Sequence, residues 1–310
     1  MKPRRWKVER FEVVILGCGP AGLQAAIHAA RRRLRTLIFG RLEASALFRA
    51  HMENYFGLRG KVSGEELLRA GLEQALRFGA EHRTEDVVKL EMREEGFLVV
   101  PESGREILAQ ALILALGVSR RKKKIRGEED LVGKGVSYCV DCDGFFFRGQ
   151  PVAVVGEGSA AVYGALTLSH IASEVFLVAR ELKVSETLKE ELAASTVKWV
   201  RSQAEEVLGR EEVEGLRLSD GTVLSVKGVF FEEGARGALE LATSLGVALD
   251  PENMRYIQVD RRQTTNIPGV FAAGDVTGPP FQVAKAVGEG CIAALSAADY
   301  LAEKRRAQKS

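Results

Sequence analysis

Two cysteines in a C-x-x-C spacing, Cys139 and Cys142, are the residues best suited to chemistry, and Asp143 follows them as a candidate proton carrier. This spacing occurs in zinc sites, in inert pairs of buried thiols and in redox disulfides. Zinc would need four ligands. However, Cys18 and Cys291 lie in a glycine turn and an apolar helical segment, and the four histidines show no ligand spacing, so we expect no metal. A redox dithiol is favoured over inert thiols, because the spacing lets the sulfurs bridge and lowers the pKa of one thiol.

A glycine motif near the N-terminus predicts where a dinucleotide would bind. Phe11 to Leu16 form a short apolar run that is typical of a buried parallel strand, and glycines follow at 17, 19 and 22. An amphipathic helix comes next, and "LRTLIF" predicts a second strand. This is the βαβ dinucleotide fingerprint, in which the glycines allow close backbone approach and the helix N-terminus receives the pyrophosphate.

The same pattern occurs a second time, about 140 residues later. "PVAVVGEGSAAVYGALTL" predicts a strand, the turn Gly156-x-Gly158-x-x-Ala161 and a helix, and "SEVFLVAR" predicts the next strand. Two such copies predict an α/β fold with two Rossmann-like dinucleotide-binding domains.

A third motif, "NIPGVFAAGDVTG", runs from a predicted strand at Val270–Ala272 into Gly274 and Asp275. Flavoproteins of the two-dinucleotide type carry this pattern, and an acceptor-only carboxylate suits the ribityl chain of FAD. We therefore expect an FAD-binding domain in two parts, residues 1–117 and 250–310. The domain inserted between them, residues 118–249, is of the NAD(P) type and carries the C-x-x-C pair.

Composition and charge exclude several classes of protein. With 310 residues, 46% of them hydrophobic, the chain is long enough for about two packed domains. A net charge of +2 indicates no nucleic-acid partner, and no apolar run reaches the roughly 18–20 residues of a membrane span. Four cysteines are too few for a disulfide framework, so we expect a protein of the reducing cytoplasm.

Several segments, in the same order, give the chain a resemblance to the low-molecular-weight thioredoxin reductases, which are class II pyridine nucleotide-disulfide oxidoreductases. They are "GVSYCVDCDG", the fingerprint at 17–22, "MENYFG" at 52–57, the inserted βαβ unit and "PGVFAAGDV" at 268–276. The resemblance implies FAD, a homodimer, and a reaction in which reduced flavin reduces a disulfide that then reduces thioredoxin. By position it implies that Cys142 faces the flavin, that Cys139 attacks the partner disulfide and that Asp143 is the general acid.

The resemblance also implies which residues contact FAD. No acidic residue ends the second strand, where Phe39 and Gly40 stand, so the family's usual glutamate contact with the ribose is not expected. The implied contacts are Gly17, Gly19, Pro20, Ala21, Gly22, Asn54, Val87, Ala115, Gly274, Asp275, Gln282 and Val283.

The chain departs from the family where a nicotinamide cofactor would bind. The second fingerprint usually reads G-G-G-D-S-A-x-E-E-A, but here Glu157 lies in the turn and Tyr163-Gly164 replace the two glutamates. The NADPH clamp usually reads H-R-R-D-x-x-R, of which Arg180 remains, beside Glu181. A 2′-phosphate carries about two negative charges and needs several guanidinium groups, so we predict that NADPH is not the donor. The remaining candidates for NAD(P) binding are Gly156, Gly158 and Arg180.

Two further features distinguish this chain. Glu232-Glu233-Gly234 stand where the family usually reads A-I-G, and "SRRKKKIRG" at 119–127 is strongly basic. The basic stretch is either a solvated turn or a docking patch that steers an acidic protein such as thioredoxin or ferredoxin.

Taken with the motifs, these features predict an FAD-dependent thioredoxin or protein-disulfide reductase whose donor is not NADPH. One alternative is an ordinary NADPH- or NADH-dependent thioredoxin reductase with a divergent clamp. The other is a non-catalytic flavin-binding regulatory protein, against which the intact C-x-x-C-D segment argues.

Overall fold

The computed structural model describes residues 8–118, 124–232, 235–252 and 254–307. The chain divides into two compact units. The described residues up to Val118 and those from Leu241 onward form the first unit, and those between Lys124 and Glu240 form the second. Both units contain parallel sheets with intervening helices, which confirms the predicted α/β fold class.

Strands make up most of the framework of both units. In chain order they are β1 (Glu9–Leu16), β2 (Thr36–Phe39), β3 (His51–Met52), β4 (Val62–Ser63), β5 (Glu81–Arg83), β6 (Val87–Arg93), β7 (Gly96–Pro101), β8 (Ile107–Leu114), β9 (Val136–Ser137), β10 (Pro151–Val155), β11 (Glu174–Val178), β12 (Lys198–Val200), β13 (Ala204–Leu208), β14 (Gly215–Leu218), β15 (Val223–Leu224), β16 (Gly228–Phe231) and β17 (Val270–Ala272).

The helices connect these strands. They are α1 (Pro20–Arg31), α2 (Gly64–Arg77), α3 (Val140–Asp143), α4 (Ser159–Leu168), α5 (Glu186–Ala194), α6 (Ala235–Ser244) and α7 (Val283–Ala307), with short 3₁₀ turns at Leu42–Ala44, Gly144–Phe147 and Asp275–Thr277. Within the described part of the chain, no helix combines the length and the apolar character needed to cross a bilayer.

The first unit is built on a sheet whose described strands run in the order β5-β2-β1-β8-β7-β6, with β17 also paired to β8. β1 pairs in parallel with β2 and β8, and β17 pairs in parallel with β8. β1 is fully buried from Val13 to Leu16 because it lies between two strands. The parallel order brings the carboxyl ends of β1, β8 and β17 to one edge of the sheet, where α/β proteins bind ligands.

Small residues let α1 and α7 pack closely in the core of this unit. Ala25 of α1 and Ala293 of α7 are fully buried in one cluster. A Cβ at Gly290 would lie 2.2 Å from the carbonyl oxygen of Ala21, so only glycine fits where the two helices approach. The C-terminal helix is therefore fixed against the helix that follows the first glycine turn.

The second unit has a five-stranded parallel sheet in the order β12-β11-β10-β16-β9, and a three-stranded antiparallel sheet, β13-β14-β15, among its described strands. β10, α4 and β11 form the βαβ unit predicted from the second fingerprint. β16 pairs in parallel with both β10 and β9. The segments that follow β9, β10 and β16 therefore emerge at one edge, and they contain Cys139, Gly156 and Glu232 respectively.

Candidate active site

The first glycine turn has the tight geometry that a dinucleotide site needs. Gly17 has a φ of 111°, and a Cβ there would lie 2.1 Å from the carbonyl oxygen of Ala115. A Cβ at Gly22 would lie 1.9 Å from the carbonyl oxygen of Gly17. A side chain at either position would displace backbone, so both glycines are required by the packing of the turn itself.

The N-terminus of α1 is open to an anion. Gly19 is the N-cap residue and Pro20 begins the helix; among the described residues no side chain caps this end, and its first turn has no acid. The free N–H groups and the positive end of the helix dipole are therefore available to a phosphate. A Cβ at Gly19 would meet Ser45 Oγ at an ordinary 3.5 Å, so the fold alone does not require this glycine. These residues fit the pyrophosphate of FAD.

The turn at Gly274 and Asp275 lies against the start of α1. Gly274 has a φ of 88°, and a Cβ there would lie 2.9 Å from the Cβ of Ala21. Ala115 follows β8, the strand that pairs with β17, so these predicted FAD contacts come together around the first turn. Asp275 is half-buried and opens a 3₁₀ turn.

A charged network that sequence reasoning misses holds this second turn. Lys285 Nζ donates to the carbonyl oxygen of Gly274 at 2.9 Å and to Thr277 Oγ1 at 3.0 Å, and it lies 3.0 Å from Glu289 Oε2. Glu289 Oε2 also accepts the N–H of Gly274 at 2.8 Å. Lys285 and Glu289 stand one helical turn apart on α7, an i, i+4 spacing that could have identified them. Because both side chains are largely buried, these charge-assisted bonds fix the turn before Asp275.

The other predicted FAD contacts lie in the same unit. Asn54 Nδ2 donates to Gln282 Oε1 at 3.3 Å, which joins the "MENYFG" segment to the start of α7. Val283 is the first residue of that helix. Val87 is buried at the start of β6, the edge strand of the same sheet.

A cation follows β2, where the family usually has an acid for the ribose. Arg41 Nη2 donates to both carboxylate oxygens of Glu102 at 3.0 Å, and Nη1 lies 2.8 Å from Asp86 Oδ2. Glu102 is buried, and its two bonds to Nη2, together with Asp86 near Nη1, hold the guanidinium in one position. Sequence reasoning noted the missing acid at Phe39-Gly40 but not this arginine.

The two cysteines of the second unit form a disulfide at the start of α3. Their Cα atoms lie 5.3 Å apart, and the sulfur of Cys139, the N-cap residue, accepts the N–H of Cys142 at 3.0 Å. Cys139 is half-buried and Cys142 is exposed. A sulfur that already accepts a backbone N–H at the start of a helix is favoured as a thiolate after reduction, which suits redox exchange.

Ser137 connects Asp143 to the cysteine pair. Ser137 Oγ donates to Asp143 Oδ2 at 2.7 Å and accepts the N–H of Cys139 at 3.1 Å. Ser137 ends β9. Nothing in its spacing identifies it from sequence. Through this hydroxyl the candidate proton carrier is held beside the backbone of Cys139.

A buried glutamate packs against the cysteine-bearing helix. Glu232 is 2% exposed, and its Oε1 accepts the N–H of Val140 at 3.1 Å. A Cβ at Gly164 would lie 3.0 Å from Val140 Cγ2 and 3.5 Å from Glu232 Cγ. Two positions at which this chain departs from the family, 164 and 232, are therefore neighbours in space.

The second glycine turn keeps its backbone shape but carries a charged side chain, that of Glu157. A Cβ at Gly156 would lie 2.3 Å from the carbonyl oxygen of Glu232, so this glycine is required by packing. Lys183 Nζ lies 2.5 Å from Glu157 and 3.0 Å from Glu181, and the hydrogen bond to Glu157 raises the pKa of this lysine. Arg180 Nη2 donates to Gln203 at 2.7 Å. Arg180 and Lys183 therefore already have side-chain partners of their own.

The remaining cysteines have the surroundings of packing residues. Cys18 is buried, and desolvation, with a contribution from Glu43, raises the pKa of its thiol to about 12. Such a thiol is inert at neutral pH. Cys291 is half-buried in α7. Across the described residues, no group of three or more His, Cys, Asp or Glu side chains could hold a metal ion.

Residues 119–123 of the basic stretch lie outside the described residues, and Lys124 to Gly127 lie within them. Lys124 forms an ion pair with Glu129. Arg126 lies 3.8 Å from Glu205 and 3.7 Å from Glu206.

Known proteins match this chain over most of its length. The family model for pyridine nucleotide-disulphide oxidoreductases matches residues 11–290. The bifunctional thioredoxin reductase/thioredoxin of Mycobacterium leprae is 41% identical over 94% of this chain. The chain spans 66% of that longer relative, just under two thirds of its length.

Two solved structures resemble both the sequence and the fold. The atypical thioredoxin reductase TRi of Desulfovibrio vulgaris Hildenborough is 39% identical, with a TM-score of 0.82, over 94% of this chain and 98% of that one. A ferredoxin-flavin thioredoxin reductase of Clostridium acetobutylicum is 32% identical, with a TM-score of 0.70, over 96% of this chain and all of that one.

Matched alanine substitutions in the two glycine turns should separate their roles. Gly19→Ala should leave the fold intact but weaken FAD binding by tenfold or more, because this glycine lets the backbone approach the pyrophosphate. Gly158→Ala is the control, since a Cβ there would meet no described atom within 4 Å. FAD affinity is measured by fluorescence titration of the apoprotein, and equal affinities in both variants would contradict the assignment.

Removing the Lys285 ammonium should loosen the Asp275 turn. Loss of one charge-assisted hydrogen bond costs roughly 1.5–3 kcal/mol, so Lys285→Met should weaken FAD binding by about tenfold or more. Lys304→Met, on the same helix, is the control. The comparison uses the dissociation constant of FAD for each variant, and an unchanged constant for Lys285→Met would exclude a role in holding the turn.

Proposed function

This chain belongs to the low-molecular-weight thioredoxin reductase family, and we propose that it is an FAD-dependent protein-disulfide reductase that takes its electrons from a donor other than NADPH. Members of this family are flavin-dependent disulfide oxidoreductases, and the residues of the first unit fit FAD. The observation that carries the proposal is the contrast between two glycine turns. Among the described residues, both helices begin without a side-chain cap, but the first turn contains no charged residue, whereas Glu157 lies in the second turn and pairs with Lys183, which also pairs with Glu181.

In this proposal the first unit binds FAD. The open N-terminus of α1 would take the pyrophosphate, and Asp275, held by the Lys285 network, would accept hydrogen bonds from the ribityl hydroxyls. Asn54 and Gln282, whose amide groups bond to each other, would also contact FAD. Bound FAD supplies the electron-transfer chemistry that links the donor to the disulfide.

The reaction proposed for the cysteine pair is a two-electron exchange. Two electrons and two protons break the S–S bond and leave two thiols. The Cys139 thiolate then attacks the disulfide of a partner protein to form a mixed disulfide, and Cys142 attacks Cys139 to release the reduced partner and close the S–S bond again. Asp143 would give a proton to the departing partner thiolate, and its bond to Ser137 keeps it close to Cys139.

We propose thioredoxin or a similar small dithiol protein as the partner. Phe145 and Phe146 lie three and four residues after Cys142 and are 65% and 77% exposed, so exposed apolar side chains stand close in sequence to the pair. Exposed aromatic residues are frequent anchors of protein–protein interfaces. A homodimer and a cytoplasmic location belong to the same proposal, and the family resemblance and the small number of cysteines support them.

The donor we favour is a small acidic electron carrier such as ferredoxin. NADPH would have to displace Lys183 from two carboxylates and Arg180 from Gln203 before either cation could bind its 2′-phosphate. Glu157 would also lie in the turn that takes the pyrophosphate, where like charges repel. One similar solved structure is described as a ferredoxin-flavin thioredoxin reductase. An ordinary NADPH- or NADH-dependent reductase is the alternative.

Single cysteine variants should distinguish the two sulfurs. Cys142→Ser should trap a thioredoxin as a stable mixed disulfide on Cys139, because the resolving thiol is gone. Cys139→Ser should trap none, and both variants should lose essentially all turnover. Non-reducing mass spectrometry of the complex reads out the trapping. If both single variants kept full disulfide reductase activity, the pair would not be catalytic, and the regulatory alternative would gain support.

Removing the carboxylate from the second glycine turn should increase the rate at which NADPH reduces the flavin. Wild-type flavin should bleach slowly with micromolar NADPH under argon. Glu157→Gly leaves Lys183 paired with Glu181 alone and removes a repulsive charge from the turn, so bleaching should become about tenfold faster, while the rate with reduced ferredoxin stays the same. Glu212→Gly breaks a comparable exposed pair with Lys227 and serves as the control. Fast bleaching of the wild type by micromolar NADPH would favour an ordinary reductase with an unusual clamp.

A further inference from the structure

At positions 164 and 232 this chain has a small residue where the family usually has an acid, and an acid where the family usually has a small residue. The family usually has two glutamates at positions 163–164 and A-I-G at 232–234. This chain has Tyr163-Gly164 and an acid at 232. The two positions touch in space, because a Cβ on Gly164 would lie 3.5 Å from Glu232 Cγ. The side chain of Glu232 thus occupies space that the lack of a side chain at Gly164 leaves open.

The space between α4 and α3 has room for one of the two side chains. A Cβ at Gly164 would also lie 3.0 Å from Val140 Cγ2, tighter than ordinary packing allows, so a glutamate there would meet both Val140 and Glu232. Glu232 is 2% exposed and therefore needs hydrogen-bond donors. One donor is the N–H of Val140, the residue directly after Cys139.

We propose that Glu232 is a positioning residue for the redox pair: in the space left open by Gly164 it holds the first turn of α3 through Val140, and its negative charge disfavours the neighbouring Cys139 thiolate. This inference rests on the proposed redox role of the pair. Reduction breaks one S–S bond and adds two electrons and two protons, and one of the resulting thiols then ionises. A buried carboxylate raises the free energy of that thiolate more than that of the neutral disulfide, and so opposes the stabilisation that the N–H of Cys142 gives the thiolate. The couple is thereby kept strongly reducing.

Glu232→Gln tests the charge separately from the hydrogen bond. Glutamine keeps an acceptor oxygen for Val140 and nearly the same volume, and it loses the charge. The holoenzyme is equilibrated under argon at pH 8 with mixtures of reduced and oxidised dithiothreitol, and reduced Cys139 is counted by alkylation and mass spectrometry. The equilibrium constant for reduction should rise on the order of tenfold, which corresponds to about 30 mV for a two-electron couple.

Glu206→Gln is the matched control for this substitution. Glu206 belongs to the same unit and is partly buried, but it lies on β13 and pairs with Arg217. The equilibrium constant for reduction of the cysteine pair in Glu206→Gln should match that of the wild type. A Glu232→Gln constant within a factor of two of the wild type would overturn the proposed role of the charge.

A double-substitution cycle tests whether Glu232 occupies the space that a glutamate at position 164 would need. This test does not require Glu232→Gln to fold well. Gly164→Glu alone should lower the melting temperature, because two carboxylates would share one space. Gly164→Glu combined with Glu232→Ala should recover much of that loss, so the two effects should be strongly non-additive. Additive effects would overturn the proposal that one acid replaces the other.

The same titration separates this inference from the proposed function. If dithiothreitol reduces the wild-type pair reversibly but Glu232→Gln behaves identically, this inference fails and the proposed reductase function stands. If the wild-type pair is not reversibly reduced at all, the redox role itself fails, and the role of Glu232 fails with it.

Discussion

Backbone atoms come so close where β1 turns into α1, and where β10 turns into α4, that no side chain fits there. A Cβ would lie within 2.3 Å of a carbonyl oxygen at Gly17, Gly22 and Gly156. This constraint fixes the direction of α1 and α4, and with it the place where each helix exposes its first N–H groups. The two turns have the same backbone plan, but one carries no charge and the other carries Glu157 bound to Lys183. The same backbone plan therefore presents an uncharged turn in one unit and a turn that carries an ion pair in the other.

Buried and half-buried charges then fix the segments that follow the strands. The parallel strands bring the Asp275 turn and the first glycine turn to one sheet edge in the first unit, and Cys139 and Glu232 to one edge in the second. Loops at such an edge are not held by the sheet. Lys285 and Glu289 hold the Asp275 turn, and Glu232 holds the start of the cysteine helix. These polar contacts are worth more in a partly dry environment than on the surface, since low local dielectric strengthens them.

The features that sequence alone predicts are those with short-range causes. The glycines at 17 and 22, the strand β17 and the bridging of Cys139 to Cys142 follow from local spacing, because steric and chain-length limits act over a few residues. The features it misses join distant residues. Val140 and Glu232 are 92 positions apart, and the link exists because β9 and β16 are neighbours in the sheet. The repulsive effect of Glu157 could be read from the motif, but its bond to Lys183, 26 positions away, could not.

The central claim is that flavin and disulfide chemistry persists in a chain that no longer recognises NADPH. The most direct test is thioredoxin reduction by the purified holoenzyme under argon, with the new thiols counted as a known quantity of donor is supplied. Our account predicts one reduced thioredoxin for every two reduced ferredoxins, and turnover with micromolar NADPH at least a hundredfold slower, on the order expected for the loss of two charge-assisted contacts. Rapid thioredoxin reduction driven by NADPH, with none driven by ferredoxin, would contradict it.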